Sequence, residues 1–304
     1  HDAVLPACDA PDGITDSVVS HYLGCKVPAD AALAAKRCAS GTDEGPACLS
    51  DAQLATIAAA HTGYSFNFPL ANGMTAYAPF GYGGEGLPGN WERWMVGTVP
   101  PSFTAAPNVA GMNNLFTFGN GYVRYFIAQD PNFNPLGYDP DNFQARVQAV
   151  SDIMDATNPD LTAFFNRGGK LIVKEDMADT AQSPFTALNY WDAVVARMGR
   201  DTTEQFFVAY AAPGLPHTSN GIAAGTANAP AYGIPGRIDL LGLLDDWVEN
   251  GNKPAEQLTL ESRDALPPHA VTAEKAMCRY PLYPRYVGPA DGGAVAANYV
   301  CTAS

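Results

Sequence analysis

Gly168-Gly169-Lys170-Leu171-Ile172-Val173-Lys174-Glu175-Asp176-Met177-Ala178-Asp179 is the stretch on which the fold turns. A helical pattern opened by Asn158-Pro159 ends at the glycine pair, and the apolar run 170–174 suits a buried strand. An acid-rich loop, 175–179, follows. Next, Ser183-Pro184 reads as an N-cap with proline at the first helical position, and Leu188, Trp191, Val194, Val195 and Met198 carry a helix onward. Phe206-Phe207-Val208-Ala209-Tyr210 is the next strand. Ile238, Leu241, Leu244 and Val248 then mark a helix that stops at Gly251. Strand, loop and helix alternating in this order specify an α/β layered fold.

Working back toward the N-terminus, Phe143, Val147, Val150 and Met154 recur at helical spacing. Before them, residues 62–142 are dense in Gly, Pro, Asn and aromatics such as Trp91, Trp94, Phe116 and Phe118, with little periodicity. So long an irregular stretch reads either as an aromatic-stapled loop layer or as a lid over a site for flat, apolar ligands. Ser50 starts a short helix through Leu54, Ile57 and Ala60, and residues 1–48 are turn-rich and hold Cys8, Cys25, Cys38 and Cys48. Sequence alone leaves the pairing of the six cysteines open, and the short loops favour Cys8–Cys25, Cys38–Cys48 and Cys278–Cys301.

Across 304 residues, 47% are hydrophobic and 16% charged, which permits a large buried core. A net charge of -14 repels nucleic-acid phosphate and anionic lipid, so neither is an expected partner. No stretch approaches the roughly 20 apolar residues of a membrane span. The opening HDAVLPACDAPDG lacks the basic and apolar regions of a signal peptide, so the chain is expected to be a mature, soluble one. Even cysteine count, acidity and Pro/Gly-rich loops point to a secreted, extracellular or periplasmic home.

Chemistry in α/β folds sits beyond the carboxyl ends of strands. Two loops qualify here: 175–179, with Glu175, Asp176 and Asp179, and 213–217, which ends on His217. Alone, His217 reads as a loop histidine without a role. An acid after one strand and a histidine after the next, however, is the order in which an α/β-hydrolase supplies the last two members of a Ser-His-Asp triad. Asp179 would orient the imidazole and His217 would take a serine proton. The nucleophile is missing: no G-x-S-x-G occurs, and too few strands precede residue 170 to build a hydrolase sheet. The chain reads as the second half of an enzyme.

Several segments together resemble the tannase and feruloyl esterase family. GGKLIVKEDMAD followed by SP resembles its glycine pair, strand and acid loop; YAAPGLPH, its histidine loop; DDWVENGNKP, the following helix; CRYPLYPRYVG with Cys301, its closing disulfide segment; and CDAPDGITDSVV with PACLSDAQ, its calcium loop and a segment after it. The resemblance implies the C-terminal part of an α/β-hydrolase fold with a large, irregular lid, cleaving aromatic carboxylic esters. It divides the chain into a lid domain over 1–155 and a C-terminal catalytic segment over 156–304. It also places the serine before His1, on an N-terminal half of the same enzyme, so this chain alone is expected to be inactive. The acyl group, whether gallate, feruloyl or terephthalate, is left open, because pocket shape decides it.

The resemblance makes Asp9, Asp12 and Asp16, with the carbonyls of Ile14 and Val18, a structural Ca²⁺ site. Three carboxylates within eight residues repel one another unless a hard cation neutralises them, and the competing reading is a solvated acidic turn. Two departures stand out. The chain has Glu175-Asp176 where the family usually has His-Gly, and Thr218 where it has a cysteine that bonds another beside the serine. That clamp cannot form here. The alternatives are therefore a non-catalytic binding or structural protein on the same fold, and a calcium-binding surface protein whose aromatic middle is solid core.

Overall fold

The computed structural model describes residues 1–103, 109–217 and 219–304. Its centre is a mixed sheet of β1 (Leu171–Asp176), β2 (Phe207–Ala212), β3 (Gln257–Arg263) and β4 (Val271–Arg279), in the spatial order β1-β2-β4-β3. β1 and β2 are parallel, in register from Leu171 opposite Phe207 to Asp176 opposite Ala212; β4 is antiparallel to both β2 and β3. The helices that matter here are α1 (Asp51–Thr62), α2 (Gln144–Met154), α3 (Phe185–Met198) and α4 (Leu240–Asn250). Parallel neighbours require a crossover, and α3 supplies it between β1 and β2.

β2 is apolar along its whole length because both of its faces are covered. Side chains alternate across a strand, so Phe207, Ala209 and Ala211 meet Leu188, Trp191 and Val194 of α3 on one face. Val208, Tyr210 and Ala212 meet Trp247 of α4, Leu258, Leu260 and Met277 on the other. Trp191 is 1% exposed and its indole N–H reaches the Phe207 carbonyl at 3.3 Å, so truncation to alanine there opens a cavity costing about 3–5 kcal/mol.

Several boundaries differ from expectation for local reasons. β1 runs on through Glu175 and Asp176, because its parallel pairing with β2 continues to Ala212. The helix expected from Ser183 begins at Phe185 with Pro184 in the cap position. The Ser183 hydroxyl donates to the Pro79 carbonyl at 2.5 Å and accepts from the Phe185 N–H at 3.2 Å. The helix expected after Asn158-Pro159 shrinks to Thr162–Asn166, cut off at Gly168 with φ +77. α4 is capped by Asp239, whose carboxylate accepts from the Gly242 N–H at 2.8 Å, and stops at left-handed Gly251. The β3–β4 hairpin had no counterpart in the sequence reading.

Among the described residues β1 pairs on one side only, and Leu171, Ile172 and Val173 remain half-buried. β1 is thus an edge strand of this sheet, with its outer backbone groups unpaired among the described residues. The N-terminal segment wraps onto the sheet. Val18 joins the core on one face, Tyr22 on the other, and Ile14 packs against Ala276, Tyr286 and Tyr299. Disulfides join Cys8–Cys25, Cys38–Cys48 and Cys278–Cys301, as the short loops favoured. Phe68, Ile127, Val147 and Val150 form a separate small core under the irregular middle. No helix among the described residues is long and apolar enough to cross a membrane.

Candidate active site

The parallel pairing of β1 and β2 continues into the loops beyond them: the Met177 N–H reaches the Ala212 carbonyl at 2.9 Å and the Ala178 N–H the Leu215 carbonyl at 3.0 Å. Asp179 and His217 are thereby brought side by side, with Asp179 Oδ2 and His217 Nδ1 2.8 Å apart. Asp179 Oδ1 accepts from the N–H groups of Ala181 at 2.7 Å and Gln182 at 3.1 Å, which fixes the carboxylate's direction. The acid side chain is 5% exposed and the imidazole 33%, so the carboxylate is shielded while the ring is partly open. Among the described residues no serine hydroxyl hydrogen-bonds this ring.

Three contributions escape a sequence reading because they join distant segments. Asn90, 2% exposed, donates to the carbonyls of Gly84 and Ala178, each at 2.9 Å, and accepts from the Thr180 hydroxyl at 2.7 Å; it pins the acid loop to the irregular middle. Trp94 stands edge-on to the His217 ring with centroids 5.3 Å apart, and Phe118 stacks on Trp94 at 6.1 Å. Asp176 accepts from the Ser219 N–H at 3.2 Å and is ion-paired with Lys174. Thr218 lies outside the described residues.

A cleft of about 340 Å³ runs past the pair, lined by Lys174, Glu175, Asp176, Gln182, Ser219, Asn220, Ile238 and Leu240 along with Asp179 and His217. It is crowded with carboxylates. Burial, then repulsion from Asp176 and Asp179, pushes Glu175 up to about 7. Burial also raises Asp176, while Lys174 and the Ser219 N–H pull it back.

At the acidic loop, Asp9 accepts from the N–H groups of Asp16 and Ser17, Asp12 from those of Ile14 and Ser20, and Asp16 from that of Val18. The solvated-turn reading fails on burial: Asp9 is 3% exposed and Asp12 0%. Burial raises both carboxyls, Asp12 to about 6. Fully buried Lys275 donates to Asp16 Oδ2 at 2.8 Å, and the Tyr232 hydroxyl reaches the same oxygen at 2.7 Å. Three carboxylates against one ammonium leave a charge of two, which suits a hard divalent cation, as does the all-oxygen donor set. Among the described residues, though, the three acids do not set one oxygen each within 4.8 Å of one another, so the shell is not closed. The one group that meets this distance, Cys38, Glu44 and Cys48, has its sulfurs bonded to each other.

Fold and site together define an α/β protein with a shielded acid and an open histidine paired at the carboxyl ends of adjacent parallel strands. A sequence profile described as tannase and feruloyl esterase matches residues 1–302, and the chain belongs to that family. It is 29% identical over 306 residues to an uncharacterized esterase of Agrobacterium fabrum, covering 98% of this chain and 50% of the relative. It is 28% identical to mono(2-hydroxyethyl) terephthalate hydrolase of Piscinibacter sakaiensis, covering 99% and 50%. The crystal structure of feruloyl esterase B from Aspergillus oryzae superposes with a TM-score of 0.73 at 19% identity, over 99% of this chain and 55% of that one. The chain thus spans about half the length of the curated relatives it matches.

Proposed function

We propose that this chain is the lid and C-terminal catalytic segment of a secreted or periplasmic serine esterase of α/β-hydrolase type, acting on aromatic acyl esters. The observation that carries the reading is the 2.8 Å contact between His217 Nδ1 and Asp179 Oδ2 at the ends of β1 and β2. With Nδ1 engaged by the acid, Nε2 is the nitrogen left to act as base. A serine on an N-terminal part of the enzyme attacks the ester carbonyl, and His217 Nε2 takes its proton. His217 then protonates the leaving alcohol, and Asp179 stabilises the imidazolium throughout. Water, activated by the same nitrogen, releases the acid from the acyl-enzyme.

Residues 1–155 act as the lid and 156–304 as the catalytic segment, with 9–22 as the seam between them. Trp94 beside His217, with Phe118 stacked on it, offers an apolar wall for an aromatic acyl group. The unpaired edge of β1 is where the serine-bearing part would extend the sheet. Asp9, Asp12 and Asp16, with the carbonyls of Ile14 and Val18, would hold a structural Ca²⁺ that neutralises the seam. Three disulfides suit an oxidising compartment.

Turnover of an aromatic ester such as methyl ferulate by the complete protein tests the reading: activity lost in His217→Ala supports it. A parent without activity on any ester favours the second reading, a non-catalytic binding protein. The crowding of Glu175 and Asp176 beside the pair is the observation on its side.

A further inference from the structure

We infer that Asp176, held by Lys174, is a positioning residue that fixes the far side of the His217 loop. The inference rests on the esterase reading for its catalytic consequence, but not for its geometry. Up to His217 the loop is tied down by backbone contacts from the strand-end of β1: Met177 to Ala212, then Ala178 to Leu215. At His217 the tie is the ring itself, through Asp179. Among the described residues beyond it, Ser219, two residues before a short strand that starts at Gly221, donates its N–H to the Asp176 carboxylate of β1 at 3.2 Å. The loop is thus gripped before, at and after the histidine, all from the segment 176–179.

The grip after the histidine, unlike the backbone contacts before it, depends on a side-chain charge. Asp176 is 8% exposed, and a carboxylate so placed stays ionised only with a partner. Lys174, two residues back along the strand and therefore on the same face, supplies it. A charge-assisted hydrogen bond to the Ser219 N–H is stronger than the neutral one a protonated acid would accept. Asp179 is oriented separately, by the N–H groups of Ala181 and Gln182, so removing Asp176 leaves the triad acid's own supports in place. The expected consequence is a histidine correctly paired but loosely aimed.

Hydrogen–deuterium exchange and ester turnover on the complete protein test this together. In Asp176→Ala, exchange at Ser219 should rise by on the order of tenfold or more, while amides of β2 keep the parent's protection. Over the same change kcat should fall roughly tenfold to a hundredfold with KM near the parent value, as misaiming a base predicts. Asp176→Asn keeps an acceptor without the charge and should recover part of both losses, and Lys174→Met should move both in the direction of Asp176→Ala. Unchanged exchange at Ser219 in Asp176→Ala overturns the proposal. So does loosening spread equally over β2, which would mark Asp176 as a general stabiliser. If the parent hydrolyses no ester, the esterase reading falls, and the exchange measurements still decide whether Asp176 holds the loop.

Discussion

His217 and Asp179 touch through one hydrogen bond, and what each contributes can be separated by substitution. On the proposed esterase reading, His217→Ala in the complete protein should remove base catalysis and cost several orders of magnitude in turnover. Asp179→Asn should cost roughly 10⁴-fold, since an amide in that place favours the wrong histidine tautomer. Glu175→Gln should cost far less, because no hydrogen bond joins Glu175 to the ring among the described contacts. Near-full activity in Asp179→Asn with none in Glu175→Gln would reverse the assignment. Glu175 has its own signature in stability. Its carboxyl is raised from 4.5 to about 7 in the folded protein, so the contribution is intact below pH 4.5 and is lost as pH rises through about 7. Glu175→Gln should therefore melt above the parent at pH 8, by the equivalent of about 1–2 kcal/mol after solvent screening, and match it at pH 4. Strand order places the acid-rich loop and His217 at adjacent strand ends, and the family resemblance singles out Asp179 among the three carboxylates of that loop. Asn90 and Trp94 could not be named in advance: Asn90 meets Ala178 across 88 residues of irregular chain, where no period predicts a contact.

Elements were legible where a single period governs them. α3 and β2 each bury a face or faces that the spacing of their apolar residues announces. The β3–β4 hairpin was not legible, because Thr272, Glu274 and Lys275 interrupt its apolar run. Lys275 is the reason one of them belongs there: it is an internal cation for the acidic loop some 259 residues away. Lys275→Met should cost about 3–5 kcal/mol, as breaking a buried pair from one side does, and denaturant unfolding measures it. The remaining charge of the loop gives a second expectation at this scale. Added Ca²⁺ should raise the melting temperature with the logarithm of its free concentration, and chelator should lower it. Indifference to both would leave Lys275 as the only counter-charge the loop has.

For the molecule as a whole, β1 is an edge strand among the described residues and the chain spans about half of its relatives' length; the proposal of a serine-bearing part elsewhere rests on both. Expressed alone, the 304 residues should associate or aggregate through that edge, and a monodisperse, cooperatively melting monomer would speak against the account. All six cysteines are used in local disulfides, so a separate serine-bearing chain should part from this one on electrophoresis without reductant. The central claim is that the base and acid here serve a nucleophile from outside these residues. Labelling the complete protein with a fluorophosphonate and mapping the modified peptide tests it most directly. The account predicts a label on a serine outside residues 1–304, lost in His217→Ala; a label on a serine within them, or none on active protein, would contradict it.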